Sequence, residues 1–515
     1  MSRTHFPLLG ILLFLLSGCD KQETTHEPNR PLTIAIESDV VNFNPWVNNS
    51  VNAGDIFGLI YTPLFREESK WNAPSEFIPD WVSSMKFSED SLTLNLTLRN
   101  DVYWSDGVKA SAYDVEFSHG MLSSDSTGIY RSSKENIQSV SANDSFSVIV
   151  RFHSRSLYQI MDLNDGYILP KHIFKSKTIS EIKKDESYQN NPVTNGVFKI
   201  ERHVPNNEIR LIRIKKMSDP LSVNSITFRV VQDPFVRINL MKTGEIDILP
   251  NIASNQLNAI SDTAHFKLKA SLYPSTEYII FNLENPIFKN RRVRKFIYET
   301  FDKSLILKNA LNNEGEILNT VFPNGLWVND STVTENKTLT TDERKQLLTL
   351  LKSKSLTLKI ASTNDLRIRV GYEIKRQLAE IGVDVRLELL PMDVLANSVR
   401  SGKYEMAIWG TREGTKPNLS LRYFKSGIGT TNLTRYSNPE FERIHNLAAS
   451  KYDASESSRY WKQLQKMLLD DAVIVPLFQR KKIDVFSGDI IYSESNMRSI
   501  LNNIDRWKIS RLHEK

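Results

Sequence analysis

The stretch WGTREGTKPN (residues 409–418) sets Arg412, Glu413 and Lys416 close together among glycines and a proline, just after a short apolar run. An arginine in such a loop can grip a carboxylate or a phosphate through paired N–H bonds, and a glutamate can hold an ammonium group. A clamp on a ligand, a catalytic loop and a solvated turn are all open at this point. Chemistry is scarce elsewhere. The nine histidines share no metal-ligand spacing, and Cys19 is the only cysteine. The chain lacks G-x-S-x-G, H-E-x-x-H, a phosphate-binding P-loop and G-x-G-x-x-G. These absences count against an enzyme, and neither a metal site nor a cofactor is expected.

The elements that position the loop follow from apolar periodicity. SLTLKIA (355–361) reads as a strand and DLRIRVGYEIKRQLAEIG (365–382) as a helix. That helix carries Leu366, Val370, Ile374 and Leu378 at four-residue spacing and ends at Gly382. VDVRLEL (383–389) is a strand, MDVLANSVRSG (392–402) a helix, and YEMAIW (404–409) a strand again. This β-α-β-α-β run implies parallel strands, and ligands bind at the carboxyl ends of such strands, where the charged loop lies. Helices at 439–450 and 455–471 and a strand at 473–478 follow. The first half is richer in strands, at 32–37, 92–99, 146–152, 196–202, 208–214 and 226–231. Helices are expected there at 53–65 and 111–122, the latter opened by Ser111 and Asp114 in capping-box spacing.

At 515 residues the chain is too long for one core, so two or three domains are expected. Its 66 basic and 60 acidic residues nearly balance and are scattered, which excludes the concentrated basic surface of a nucleic-acid binder. The densest basic runs, RRVRK (291–295) and RKK (480–482), read as a solvated helix face and a surface turn. At the N-terminus, Arg3 precedes an apolar run from Phe6 to Leu16, which is too short to span a bilayer and reads as a secretory signal. Leu16-Ser17-Gly18-Cys19 resembles the bacterial lipobox, in which the cysteine is lipidated and becomes the mature N-terminus. Residues 19–30 then read as a flexible tether. Asp20 resembles the signal that keeps such lipoproteins at the inner membrane.

LTLNLTLRNDVYWSDGVKASAYDVEFS (92–118) resembles the signature of family 5 extracytoplasmic solute-binding proteins, which serve peptide and nickel ABC importers. The matching elements are Leu98-Arg99, Val102, Trp104, Asp106-Gly107, Ala112, Asp114-Val115 and Phe117. Further blocks at 195–213, 242–249, 278–303, 378–389, 401–410 and 437–444 follow in the family's order. The resemblance implies an α/β periplasmic binding protein fold of type II, with two hinged lobes, an extra subdomain and the ligand between the lobes. On that basis residues 1–18 form the signal peptide. Residues 31–285 form lobe one, with its extra subdomain at about 76–190 and the tail 486–515, and residues 286–485 form lobe two. The expected partners are a peptide or other small solute, the permease of an ABC importer, and the membrane through Cys19. A monomer is expected, held outside the cytoplasm, on the periplasmic face of the inner membrane in a Gram-negative host.

In peptide-binding members of that family the loop after YEMAIW typically carries an aspartate that pairs with the peptide's amino terminus. Here the only acid from Trp409 to Asn418 is Glu413, flanked by Arg412. The expected ligand-binding set is therefore Trp409, Gly410, Arg412 and Glu413, with Asn44 and Trp46 as a second cleft wall. Asn282 and Arg294 match family positions and are expected to be structural. A non-peptide cargo (a chelated metal, haem or an oligosaccharide) stays open beside the peptide reading, as does a ligand-sensing lipoprotein uncoupled from transport.

Overall fold

The computed structural model describes residues 30–125, 128–215, 217, 219, 221–252, 256, 259–260, 265–333, 339–412, 414, 416–417, 432–491, 501 and 503–509. The β-α-β-α-β run forms as the periodicity predicts. The strand Ser355–Ala361 lies parallel to Asp384–Leu390 on one side and to Met406–Arg412 on the other. The helices Asp365–Glu380 and Met392–Arg400 make the crossovers. Val370, Ile374 and Leu378 are fully buried, so the four-residue stripe is the face that meets the sheet. The Asn364 side chain caps this helix by accepting from the Arg367 amide, and Gly382 closes its end with a φ of +81°.

These strands belong to one mixed sheet that runs through the molecule. Its order is Asp384–Leu390, Ser355–Ala361, Met406–Arg412, Phe266–Phe281, Ile474–Ser487, Ile248–Ile252, Leu32–Ile36, Ser225–Val230, Glu208–Arg213 and Phe198–Val204. A short strand, Gly315–Ile317, pairs onto Ile474–Ser487 off this path. Two strands are unusually long: Phe266–Phe281 and Ile474–Ser487 pair antiparallel, and each carries residues into the cores of both lobes. Ile279 and Phe281 pack with Val475, Leu477 and Phe478 in one cluster. Further along the same strands, Ile483 and Val485 pack with Ala35, Ile238 and Leu249, and Phe266 joins them. The pairing register shifts between Leu272 and Thr276, where the cores change over. A bulge of this kind bends a strand, so the two lobes meet at a built-in flexure.

The first lobe's largest core gathers Ile34, Phe43, Phe57, Phe198 and Phe228, with Ile490, Leu501, Ile504 and Trp507 from the C-terminal tail. A separate antiparallel sheet, ordered Val82–Phe87, Thr93–Leu98, Ser147–Phe152, Ile137–Ala142, has its own core around Trp81, Leu94, Trp104, Val115 and Phe152. Asp114 opens the helix Ala112–Ser124 as its capping box predicts, and its buried carboxylate also accepts from the Lys171 amide at 2.8 Å. Gly107 turns the chain at a φ of +90° beside Asp106. The last tether residue, Arg30, is already fixed to the body through an ion pair with Asp247.

Two expectations are corrected. RRVRK opens the helix Arg291–Thr300, but Arg294 and Lys295 are buried and not solvated. The Arg294 guanidinium donates to the carbonyls of Phe288 at 2.7 Å, Asp471 at 2.6 Å and Ala472 at 3.1 Å. Asp471 and Ala472 directly follow the helix Ala454–Asp470, so Arg294 ties the end of that helix to its own. RKK is not a turn: Arg480, Lys481 and Lys482 lie inside the strand Ile474–Ser487, where it passes from one core to the other.

Candidate functional site

The strand Met406–Arg412 delivers the charged loop. Met406 and Ile408 enter one core of the second lobe, and Ala407 the other. Trp409 is half-buried against that second core, as are Trp327 and, from the first lobe, Trp71. Gly410 stands under a buried ion pair: Arg367 Nε donates to Glu277 Oε2 at 2.9 Å, and Nη2 lies 3.3 Å from Oε1. A Cβ on Gly410 would fall 2.5 Å from the Arg367 guanidinium and 2.8 Å from the Glu277 carboxylate. The glycine is there because that pair leaves no room for a side chain. The backbone of Arg412 is in register with Ser275, and Glu413 lies outside the described residues.

Beyond this strand, Gly414 and Lys416 close one side of a cavity of about 550 Å3. The opposite wall comes from the first lobe, from the helix Val51–Ile60 and from residues Arg66, Tyr130, Asp162, Asp165 and Tyr167. The size is within the range of small-ligand sites, and the position between lobes is where such sites form. Lys416 is buried and forms an ion pair with Asp162, whose carboxylate is equally buried. Burial pushes the Asp162 carboxyl up, while the Lys416 ammonium pulls it back. Behind them Lys134 donates to the backbone carbonyls of Asp162, at 2.9 Å, and of Asp165. Its own burial brings it down to about 8.

Asn44 and Trp46 sit one layer behind this wall and not in it. Asn44 is fully buried; its amide donates to the Ile182 carbonyl at 2.8 Å, and its oxygen accepts from the Trp46 amide at 3.0 Å. The Trp46 indole N–H donates to the Tyr167 carbonyl at 2.8 Å, and the Tyr130 hydroxyl donates to the Pro45 carbonyl at 2.9 Å. This turn therefore helps to set Tyr130 and Tyr167, two of the three tyrosines that line the cavity. Asn282 is structural, as expected: its amide donates to the carbonyls of Gly402 and Tyr404, at 2.8 and 3.1 Å. Sequence reasoning missed Asp162, Lys134 and Tyr167. No local pattern marks them, because Lys416 meets Asp162 across 254 positions of chain.

Residues 76–430 match the family described as bacterial extracellular solute-binding proteins, family 5. The oligopeptide-binding protein AppA of Bacillus subtilis is 21% identical over 99% of this chain and 99% of its own. Its crystal structure in complex with a nonapeptide is similar with a TM-score of 0.78 at 20% identity, over 93% of this chain and 99% of that one. NikZ of Campylobacter jejuni, solved in complex with Ni(L-His), is similar with a TM-score of 0.78 at 21% identity, over 94% of this chain and 100% of that one. The two cores flanking a flexure, the cavity at their junction and the matched span agree. The chain belongs to the bacterial extracellular solute-binding proteins of family 5, and its fold is their two-lobe α/β periplasmic binding fold.

Proposed function

We propose that this protein is a lipid-anchored solute-binding protein that encloses a peptide-like ligand between its lobes and delivers it to an ABC importer. The observation that carries the reading is the cavity between the lobes, walled by the first lobe and closed by Gly414 and Lys416 of the second. Contacts spanning both lobes exist only in the closed form, so a ligand there stabilises closure by its differential affinity. Main-chain hydrogen bonds and bridging waters suit a cargo of variable side chains. The anchor reading rests on Leu16-Ser17-Gly18-Cys19, which lies outside the described residues. Within the site, Trp409, Gly410, Arg412 and Glu413 are proposed to face the cargo, while Asn44 and Trp46 act from behind by holding Tyr167. The protein binds its solute without converting it.

Mass spectrometry of the material released on denaturing the purified protein tests this directly, and short peptides are expected. A single non-peptide compound would reject the peptide assignment. A nickel chelate is the specific second outcome, favoured by the likeness to NikZ.

A further inference from the structure

We propose that residues 155–162 of the extra subdomain form a clasp that holds the two lobes together without cargo. Four contacts join this segment to the second lobe, and none of them involves a ligand. The Leu157 amide donates to the Lys451 carbonyl at 3.0 Å. The Arg155 guanidinium stacks on the Tyr452 ring, 3.7 Å from its centre. Tyr158 is buried beside Ser457 and Trp461, whose side chains bond to each other at 3.0 Å. Its hydroxyl makes no hydrogen bond of its own among the described residues, so its part is packing. The fourth contact is the Asp162–Lys416 ion pair, with both side chains under a tenth exposed and the ammonium also 5.2 Å from the Tyr158 ring centre.

The physical consequence lies in what opening would expose. Closure removes Asp162 and Lys416 from water together, and Lys416 is the cation in direct contact with the Asp162 carboxylate, with Lys134 adding a weaker pull from behind. Losing one partner leaves a buried charge uncompensated, whereas replacing both with neutral groups is often tolerated. In the open form the two belong to different lobes and each reaches water, so a single substitution burdens only the closed state. The stacked Arg155, at the exposed rim, adds affinity of the same kind. A closed population that precedes the ligand lowers the cost of binding any cargo, because less of the binding free energy is spent on closure. The inference concerns the lobes and not the cargo, so it stands or falls apart from the peptide assignment.

Small-angle scattering of the mature protein, stripped of cargo by unfolding and refolding, tests it. The wild type is expected to stay compact. Lys416→Met is expected to shift the closed-to-open ratio by about a hundredfold or more and so to enlarge the particle. Lys416→Met with Asp162→Asn is expected to return it to wild-type dimensions. Arg155→Ala, a surface change that does not threaten folding, is expected to expand it partially. Circular dichroism matching the wild type shows that each variant is folded. Equal dimensions for stripped wild type, Lys416→Met and Arg155→Ala would overturn the clasp. A double variant as expanded as Lys416→Met would overturn the role given to the ion pair.

Discussion

A methyl group on Gly410 has nowhere to go, since the Arg367–Glu277 pair covers that face of the strand. Gly410→Ala is expected to cost about 1–3 kcal/mol through forced displacement of packed groups. Urea unfolding reads this; an unchanged midpoint would mean that the pair moves aside freely. In the same loop, Glu413→Ala should weaken binding of free-amine peptides more than of their N-acetylated forms. Equal loss for both would remove Glu413 from an amine-binding role. Much at this scale was hidden from sequence reading. Gly410 and Trp409 could be placed at the end of a strand, but the Glu277–Arg367 pair that explains Gly410 joins distant segments. Asn44 and Trp46 stood out as polar and aromatic residues after the first strand. Their burial assigns them to holding Tyr167, which a sequence pattern does not separate from lining the cleft. Arg294 was legible as structural from its family position, although it stands in a run that read as solvated, and it is spent on four carbonyls.

Single elements were easier to read wherever one face meets one core. The helix Asp365–Glu380 is an example, and it also carries an acid-sensitive cluster. Arg376 holds the Glu373 carboxylate with Nη2 at 2.6 Å from Oε1 and Nε at 3.0 Å from Oε2. Gln377 Nε2 donates to the same carboxylate at 2.8 Å, and Asn309 Nδ2 from a neighbouring helix at 3.0 Å. Together, with Arg376 the main cause, they bring the Glu373 carboxyl down to about 2. A lowered carboxyl contributes stability above the unfolded pKa, about 4.3, and loses it as pH falls toward 2. Because Arg376 is well exposed, solvent screening keeps the contribution to about 1 kcal/mol. Glu373→Gln is therefore expected to flatten the loss of stability between about pH 5 and pH 3, in urea titrations at the two values. An unchanged slope would show that the cluster is not coupled to folding. Of the two long strands, by contrast, only the start of the second, at 473–478, was read. FKLKASLYPSTEYIIF mixes lysines and a proline with apolar residues because its two ends serve different cores. No single alternation spans a strand that changes partners at a bulge. The lysines of RKK broke the second strand in the same way.

At the scale of the whole molecule, the family blocks and the β-α-β run pointed to two lobes, while the continuity of one sheet through both of them became visible only in the folded chain. That continuity constrains how cargo stabilises the protein. A ligand enclosed at the junction binds the closed, folded form alone, so it adds RT ln(1 + [L]/Kd) to the stability, about 2.7 kcal/mol at a hundredfold excess over Kd. For lobes of this size that corresponds to roughly 5–10 °C in melting temperature. Protein purified with its cargo is expected to melt higher than the same protein stripped by unfolding and refolding, and returning the released fraction should restore the difference. With the clasp in place the wild type should gain this heat stability with little change in dimensions, since closure precedes binding. In Lys416→Met the same addition should both stabilise and compact the particle, because there the ligand must supply the closure that the ion pair no longer gives. Differential scanning calorimetry and scattering on one set of samples check both halves. Identical melting of stripped and loaded wild type would mean that the cavity holds nothing as purified. Compaction of the wild type as large as that of the variant would place the free energy of closure in the ligand alone.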